Sequence, residues 1–248
     1  MKGHKIILRL IAIAVLGVAG IAALYAAVRP GVPDFSDYEA GAKRKEAFFS
    51  YLLPVIEQRN QEILETRRQL KAWNRDRENI GWWDTRKIQD LAKEYEMETF
   101  DIKSDADWNT LLRRVDAVPP SLALAQAAKE SAWGTSRFAR EGYNFFGQWC
   151  FEEGCGIVPG SRETGKNHEI AVFDSPVASV ESYIHNLNSH DAYRSLRDIR
   201  ASLRAADYPV TGITLAGVLD NYSERGTEYV NELQVMISNN NLSQYDRE

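Results

Sequence analysis

One carboxylate, Glu130, stands at the end of a segment made mostly of small and apolar residues, "LALAQAAKESAWGTS" at residues 122–136. A helix has 3.6 residues per turn, so Gln126, Glu130 and Trp133 would share one face, with alanines that let a ligand come close. Burial beside Trp133 and the negative end of the helix dipole are both expected to raise the pKa of Glu130. A carboxyl that keeps its proton near neutral pH can act as a general acid.

Glu130 could instead be a surface glutamate on the last turn of a helix, which is the commoner case for this spacing. Two features favour a site. The helix contains too many small residues to be expected in the core, and aromatic residues crowd the chain after it. They are Trp133, Phe145, Phe146 and Trp149. Such clusters are typical of sugar-stacking sites, so the residues alone indicate a carboxylic acid in a cleft.

The sequence around Glu130 resembles that of a known family. The motif "AQAAKESAWGTSRFAREGYNFFGQW" is similar to the glucosaminidase-type peptidoglycan hydrolases, and "GQWCFEEGCGIVPGSR", "HEIAVFDSP" and "SYIHNLN" resemble the Bax branch of that family. The likeness runs from Val118 to the end of the chain, and "FFSYLLPVIEQRNQEIL" resembles the same branch. It implies an α+β, lysozyme-like fold that hydrolyses the β-1,4 bond after N-acetylglucosamine in peptidoglycan, without a cofactor.

The resemblance implies that Glu130 protonates the leaving oxygen and that a β-hairpin supplies a second glutamate. Glu163, just before the predicted hairpin turn, is the first candidate, and the competitors are Glu169, Glu152 and Glu153. A separation of about 5 Å between the two carboxyls would suit a nucleophile, whereas about 6.5–9.5 Å would suit an activated water. Assistance by the acetamido group of the substrate is a third route, and the sequence leaves all three open.

The segment "LDNYSERGTEYVNEL" resembles the closing tyrosine motif of the family and nominates Tyr229 as a catalytic residue, with Tyr222 as the second choice. Either tyrosine could equally be a core side chain whose hydroxyl is hydrogen-bonded. Some relatives have an acid where this chain has Ser182, so no third carboxylate is assigned. We expect substrate contacts from the following residues: Trp133, Asn144, Phe146, Gly147 and Tyr222.

Two other functions fit the same residues. A lytic transglycosylase shares the fold and needs only one carboxylate, although "NFFGQW" replaces the "GLMQ"-like sequence typical of that class. It would release 1,6-anhydromuramic acid, whereas the hydrolase would release reducing-end N-acetylglucosamine. A non-catalytic glycan-binding module of the cell envelope would keep the groove without cleaving the strand.

Most of the chain has helical patterns, and these elements must position the site. Apolar spacing predicts two helices over residues 39–75, separated at Pro54. Further helices are predicted over residues 85–97 and 106–115 and, in several segments, after residue 174. Ser121 is the predicted N-cap of the acid-bearing helix. The segment "TGKN" at residues 164–167 is the predicted turn of a small β-hairpin, which gives an α+β fold.

Three segments are predicted: a membrane anchor or signal at 1–30, a linker and helical extension at 31–84, and a glucosaminidase-like catalytic domain at 85–248. Residues 10–28 are uncharged, and as a helix they nearly cross a hydrocarbon core of about 30 Å. Basic residues precede this run and acidic residues follow it, which predicts export of the rest. We expect a single-pass anchor in the inner membrane and a catalytic domain in the periplasm, with a cleaved signal peptide as the alternative.

The two cysteines and the charge pattern limit the partners. Cys150 and Cys155 have a spacing that fits neither a CxxC redox pair nor a metal cluster, so in an oxidising compartment we expect a disulfide rather than two unrelated thiols. The histidines are too scattered for a zinc site, and no metal is expected. Net charge is −5 without a basic patch, which argues against nucleic acid. The expected partners are peptidoglycan and the inner membrane, and the sequence names no protein partner.

Overall fold

The computed structural model describes residues 31–160 and 167–246, and this part of the chain is mostly helical. Its α-helices are α1 (Ala42–Arg75), α2 (Trp82–Glu94), α3 (Asp105–Arg114), α4 (Pro120–Glu130), α5 (Arg137–Gly142), α6 (Pro176–Ser189), α7 (Arg194–Ala205), α8 (Gly212–Ala216) and α9 (Thr227–Asn239). Short 3-10 helices are Phe35–Asp37, Arg77–Asn79, Asp191–Tyr193, Asp220–Tyr222 and Leu242–Tyr245. Strands β1 (Trp149–Cys150), β2 (Gly156–Ile157) and β3 (Glu169–Ala171) form an antiparallel sheet in the order β1-β3-β2. The predicted α+β class, mostly helical with a small β lobe, is confirmed.

Helix α4 lies in the core, because its small residues let neighbouring helices come close. Every residue of α4 from Ser121 to Ala128 is buried, and α1, α8 and α9 all pack against the helix. At Gly212 of α8 a Cβ atom would stand 2.1 Å from the Ser121 hydroxyl oxygen, so this approach requires glycine. The expectation that an alanine-rich helix would lie outside the core is therefore wrong. The alanines make room for other helices rather than for a ligand.

Ser121 does not cap α4, contrary to the prediction. The helix begins at Pro120, a position where the missing N–H of proline costs nothing, and its N-cap residue is Pro119. The backbone N–H and the hydroxyl of Ser121 both donate to the carboxylate of Asp246, over 2.9 and 2.6 Å. A carboxylate from the far end of the sequence thus caps α4 and ties the C-terminal segment to it.

Residues 42–75 form the single long helix α1, not two helices that separate at Pro54. A proline inside a helix removes one hydrogen bond and costs about 3 kcal/mol. The apolar face nevertheless continues through it, with Leu52 before and Ile56 after the proline both fully buried. Because α1 packs along its length against α4 and α6, tertiary packing outweighs the local preference for a break.

The β lobe contains the predicted hairpin and the predicted disulfide. Strands β2 and β3 pair with Ile157 opposite Ile170, and β1 pairs with the other edge of β3. Cys150 and Cys155 form a disulfide with a Cα–Cα distance of 6.1 Å, which confirms that prediction. Most of the predicted turn at 164–167 lies outside the described residues, and so does Glu163.

The predicted helices at 85–97 and 106–115 correspond to α2 and α3, each of which begins somewhat earlier than expected. A compact unit runs from Asp34 to Glu248, and the predicted division at residue 84 stays a prediction. The predicted anchor at 10–28 lies outside the described residues. In the part of the chain that is described, no helix combines the length and apolar character needed to cross a bilayer.

Candidate active site

Glu130 is the last residue of α4 and opens into a cleft of about 760 Å³. The cleft is lined by aromatic, amide and charged groups from distant parts of the chain. Its lining residues besides Glu130 are Glu96, Phe146, Gly147, Gln148, Trp149, Ser182, His185, Asn186, Tyr193, Tyr222, Ser223, Glu224 and Arg225. This mixture of ring faces and hydrogen-bonding groups suits a sugar, which offers apolar C–H faces and hydroxyls.

The half-buried carboxyl of Glu130 has a raised pKa, and its removal from water is the largest cause. The hydroxyl of Tyr229 in α9 donates to Glu130 Oε1 over 2.8 Å. That hydrogen bond and the charge of Lys129 act in the opposite direction, whereas the charge of Glu232 acts with burial. Lys129 is itself paired with Glu232, which limits its effect on Glu130. Glu130 therefore keeps its proton to a higher pH than an ordinary glutamate.

Gly147 brings the backbone against the second oxygen of Glu130. Its φ of +66° lies in the left-handed region that favours glycine. A Cβ atom built there would stand 3.3 Å from Glu130 Oε2. Because Gly147 also lines the cleft, Oε2 is the oxygen on the Gly147 side while Oε1 is held by Tyr229.

Stacked rings form the wall beneath Glu130. Tyr222 and Tyr229 stack with ring centroids 5.6 Å apart and planes within 7° of parallel. Phe146 stacks on Tyr183 with centroids 3.9 Å apart, and the Tyr222 hydroxyl donates to the Phe146 carbonyl over 2.9 Å. The structure thus brings together five predicted site residues: Glu130, Phe146, Gly147 and Tyr222 line the cleft, and Tyr229 is hydrogen-bonded to Glu130.

Trp133 lies elsewhere. Helix α4 ends at Glu130, and Ala132 and Trp133 follow with φ of 50° and 60°, so the chain turns sharply after the helix. The indole packs edge-on against Phe48 and Phe49 of α1, with centroid distances of 6.1 and 5.4 Å. It lines a second depression and not the Glu130 cleft. The expectation that Trp133 shares the helical face of Glu130 is therefore wrong.

Asn144 is buried beneath the β lobe instead of lining the cleft. Its amide nitrogen donates to the carbonyls of Gln148 and Ala171, over 2.8 Å in both cases, and its oxygen accepts from the backbone of Gln148. These bonds hold the segment before β1 against β3. Through that segment Asn144 fixes the position of Gly147 and Phe146.

The described competitors of Glu163 do not lie in the cleft. Glu169 is 5% exposed and accepts from the backbone N–H groups of Gly154 and Gly156, over 3.2 and 2.8 Å, which fixes the disulfide loop. Glu152 and Glu153 are exposed on that loop. None of the three lines the Glu130 cleft.

Two other glutamates do line the cleft, and sequence reasoning missed both. Glu224 lies in the "NYSERG" segment beside Tyr222, so its place in the tyrosine motif is a signal that could identify it. Glu96 has no local signal. It follows α2 with a φ of 59° and accepts a hydrogen bond from Ser189 of α6 over 3.0 Å. Contacts between the end of α2 and α6, which are distant in sequence, therefore bring it to the cleft.

The ligand atoms of Cys150, Cys155 and Glu169 lie within 4.8 Å of one another. Both sulfurs are joined in the disulfide and offer no thiolate to a metal ion. The Glu169 carboxylate is occupied by backbone donors. The cluster therefore stabilises the β lobe.

Comparison with known proteins places the chain in a family. Residues 106–242 match the family model described as mannosyl-glycoprotein endo-beta-N-acetylglucosaminidase. The chain is also similar to Protein bax of Escherichia coli (strain K12), with 37% identity over 212 residues that cover 84% of this chain and 74% of that protein. No solved structure matches the chain at a significant level. The chain belongs to the glucosaminidase family, in its Bax branch.

Proposed function

We propose that the protein hydrolyses the β-1,4 glycosidic bond after N-acetylglucosamine in peptidoglycan, with Glu130 as the general acid. The observation that carries the proposal is a carboxyl of raised pKa on the wall of an aromatic cleft, hydrogen-bonded by the buried Tyr229. Membership of the glucosaminidase family supports a glycan as the substrate. A helical core with a small β lobe fits a lysozyme-like fold.

In the proposed reaction the proton of Glu130 passes to the glycosidic oxygen while the bond from that oxygen to C1 breaks. The electron pair of the broken bond stays on the leaving oxygen, and Glu130 becomes a carboxylate. A water molecule then forms the new bond to C1 and gives its proton to a base. Tyr229 stabilises the carboxylate through its hydrogen bond to Oε1, and Tyr222 offers its ring to the sugar.

Glu163 stays the proposed second carboxylate, since the family resemblance assigns that role to the hairpin. Glu224 and Glu96 become its alternatives because they line the cleft. Full activity in a Glu163→Gln variant would exclude Glu163. Loss of activity in Glu224→Gln or Glu96→Gln would then identify the base.

The test of the acid is digestion of purified sacculi, with mass spectrometry of the released muropeptides. We expect Glu130→Gln to lose at least about a hundredfold in rate, since a positioned acid contributes that much or more. Glu141→Gln, which changes an exposed glutamate of α5, is the matched control and should digest normally. Undiminished cleavage by Glu130→Gln would refute the role of Glu130.

The same digest separates the competing functions. Reducing-end N-acetylglucosamine supports the proposed hydrolase. Products ending in 1,6-anhydromuramic acid would instead show a lytic transglycosylase. Binding of glycan without cleavage by the parent protein would show a non-catalytic module.

We also propose that the catalytic domain acts in the periplasm, anchored in the inner membrane by residues 10–28. The charge asymmetry around that run supports this orientation. The disulfide between Cys150 and Cys155 supports an oxidising compartment. Protease accessibility in spheroplasts tests the proposal: digestion of the domain in intact spheroplasts is expected, and protection until lysis would refute it.

A further inference from the structure

A chain of hydrogen bonds runs from the buried core to Glu130. The hydroxyl of Tyr183 in α6 donates to Gln126 Oε1 over 2.6 Å. Gln126 Nε2 donates to the hydroxyl of Tyr229 over 3.1 Å, and Tyr229 donates to Glu130 Oε1 over 2.8 Å. Tyr183, Gln126 and Tyr229 are each at most 1% exposed. These hydrogen bonds therefore join three helices, α4, α6 and α9, in a region without water contact.

Tyr183 determines which group donates and which accepts at each step of this series of hydrogen bonds. Burial raises the pKa of its hydroxyl well above the usual value, so the hydroxyl keeps its proton. Among the described residues Gln126 is its hydrogen-bond partner, and no second one is present. If the Gln126 amide were turned round, the buried O–H of Tyr183 would have no acceptor, which is costly. The amide oxygen therefore faces Tyr183, and the amide N–H faces Tyr229.

We propose that Gln126 and Tyr183 are positioning residues that keep the transferable proton of Glu130 on Oε2. The Tyr229 hydroxyl oxygen accepts a hydrogen bond from Gln126, so its own O–H donates a hydrogen bond to Glu130 Oε1. A carboxyl oxygen that already accepts this bond is the poorer place for the acidic proton. Oε2 lies beside Gly147, at the lining of the cleft, so the proton is on the side that the substrate can reach. This inference rests on the proposed role of Glu130.

The charged groups around Glu130 do not set this direction. Lys129 on the same helix and Arg225 at the cleft both pair with Glu232 of α9. Glu224 and the hydroxyl of Tyr222 also face the cleft, and Tyr222 donates to a backbone carbonyl. Within the described part of the chain, Tyr229 is the residue that hydrogen-bonds the Glu130 carboxyl.

The test removes the hydroxyl that orients the amide. In Tyr183→Phe the Gln126 amide can turn round, and its oxygen then accepts from Tyr229. The Tyr229 oxygen is then free to accept a hydrogen bond from a protonated Oε1 of Glu130, which holds the acidic proton on Oε1, away from the cleft, and stabilises the neutral carboxyl. We expect the Glu130 titration midpoint, read by NMR of ¹³C-labelled glutamate, to rise by about one pH unit. The kcat should fall about tenfold, with KM within about twofold.

Gln126→Met keeps the side-chain volume but removes the amide that links Tyr183 to Tyr229. It should change the titration midpoint and kcat in the same direction as Tyr183→Phe, and it serves as the test if Tyr183→Phe does not fold. Tyr95→Phe is the control. It removes a hydroxyl from a tyrosine that is also buried, 3% exposed, but does not belong to this series of hydrogen bonds, so the titration midpoint and kcat should both stay unchanged. A loss of kcat without a change in the titration midpoint would overturn the inference. The NMR titration needs no turnover, so it tests the role of Gln126 and Tyr183 even if the protein cleaves no glycan. The digest with Glu130→Gln tests the proposed function separately.

Discussion

Burial of the Glu130 carboxyl favours its neutral form in the folded protein, whereas the unfolded chain exposes the same group to water. The folded protein therefore binds this proton more tightly than the unfolded chain does. The stability that the neutral carboxyl contributes is fully present below the pKa that Glu130 has in the unfolded chain. It is lost as the pH rises through the higher pKa that Glu130 has in the folded protein. Near neutral pH the residue that would serve catalysis thus lowers the free energy of unfolding.

Glu130→Gln should accordingly be more stable than the parent protein at pH 8. Glutamine cannot ionise, and its amide oxygen can still accept from Tyr229. We expect Tm to rise by a few degrees at pH 8 and the difference to shrink at pH 4, as measured by calorimetry at both pH values. Glu141→Gln should show no such pH-dependent difference. A variant that is less stable than the parent at both pH values would contradict this prediction.

Gly147→Ala should damage the site with little effect on the fold. The added Cβ would stand 3.3 Å from Glu130 Oε2 on backbone with a φ of +66°. We expect kcat to fall at least about tenfold, since small displacements of reacting groups are costly. Gly154→Ala is the control, because its φ is +80° but nothing lies within 4 Å of its Cβ position. Equal activity in the two variants would show that contact with Glu130 is unimportant.

At the level of the element, α1 is held to the core by a polar clamp as well as by its apolar face. The side chain of Asn60, 6% exposed, donates to the carbonyl of Val118 over 2.7 Å and accepts from its N–H over 3.1 Å. Val118 lies just before α4, where the chain has no helical partner for these groups. Asn60 therefore links the middle of α1 to the start of the acid-bearing helix.

Asn60→Ala should lower the free energy of unfolding by about 2–3 kcal/mol, because both backbone groups of Val118 lose their partner in a buried place. Urea unfolding followed by circular dichroism measures this change. Gln61→Ala, an exposed position on the same helix, should change the free energy of unfolding by less than about 0.5 kcal/mol. A loss in Asn60→Ala no greater than that of the control would disprove the clamp.

At the scale of the whole molecule, a buried ion cluster joins helices that are distant in sequence. The Asp116 side chain is 2% exposed and lies within 3.4 Å of Arg67 from α1 and within 3.7 and 2.7 Å of Arg200 and Arg204 from α7. Arg200 also donates to the carbonyl of Ala117. Burial lowers the pKa of Arg200 to about 10, so the residue stays charged at neutral pH and needs its counter-charge.

Asp116→Asn should therefore destabilise the protein by about 3–5 kcal/mol, since it leaves buried arginine charge uncompensated. The midpoint of guanidinium chloride unfolding measures the effect. Asp198→Asn breaks an exposed pair with Arg113 and should cost less than about 1 kcal/mol. Similar midpoints for the two variants would show that the buried charge is not needed.

The sequence by itself determined the features that depend on residues close together in the chain, such as helices and short motifs. Helical spacing located the acid-bearing helix and the helices that correspond to α2 and α3. The spacing of Cys150 and Cys155 excluded a CxxC redox pair, and the predicted export to an oxidising compartment favoured the disulfide that the structure contains. Motif resemblance selected Glu130 and Tyr229, which the structure joins by a hydrogen bond across 99 residues.

Only the tertiary structure decided which groups face one another over longer separations. Trp133 leaves the face of Glu130 because two left-handed residues end the helical register. Helix α1 continues through Pro54 because its apolar face is buried on both sides of the proline. Glu96 reaches the cleft through packing alone. Local patterns act over one or two turns, whereas such placements depend on how whole elements bury their apolar faces against each other.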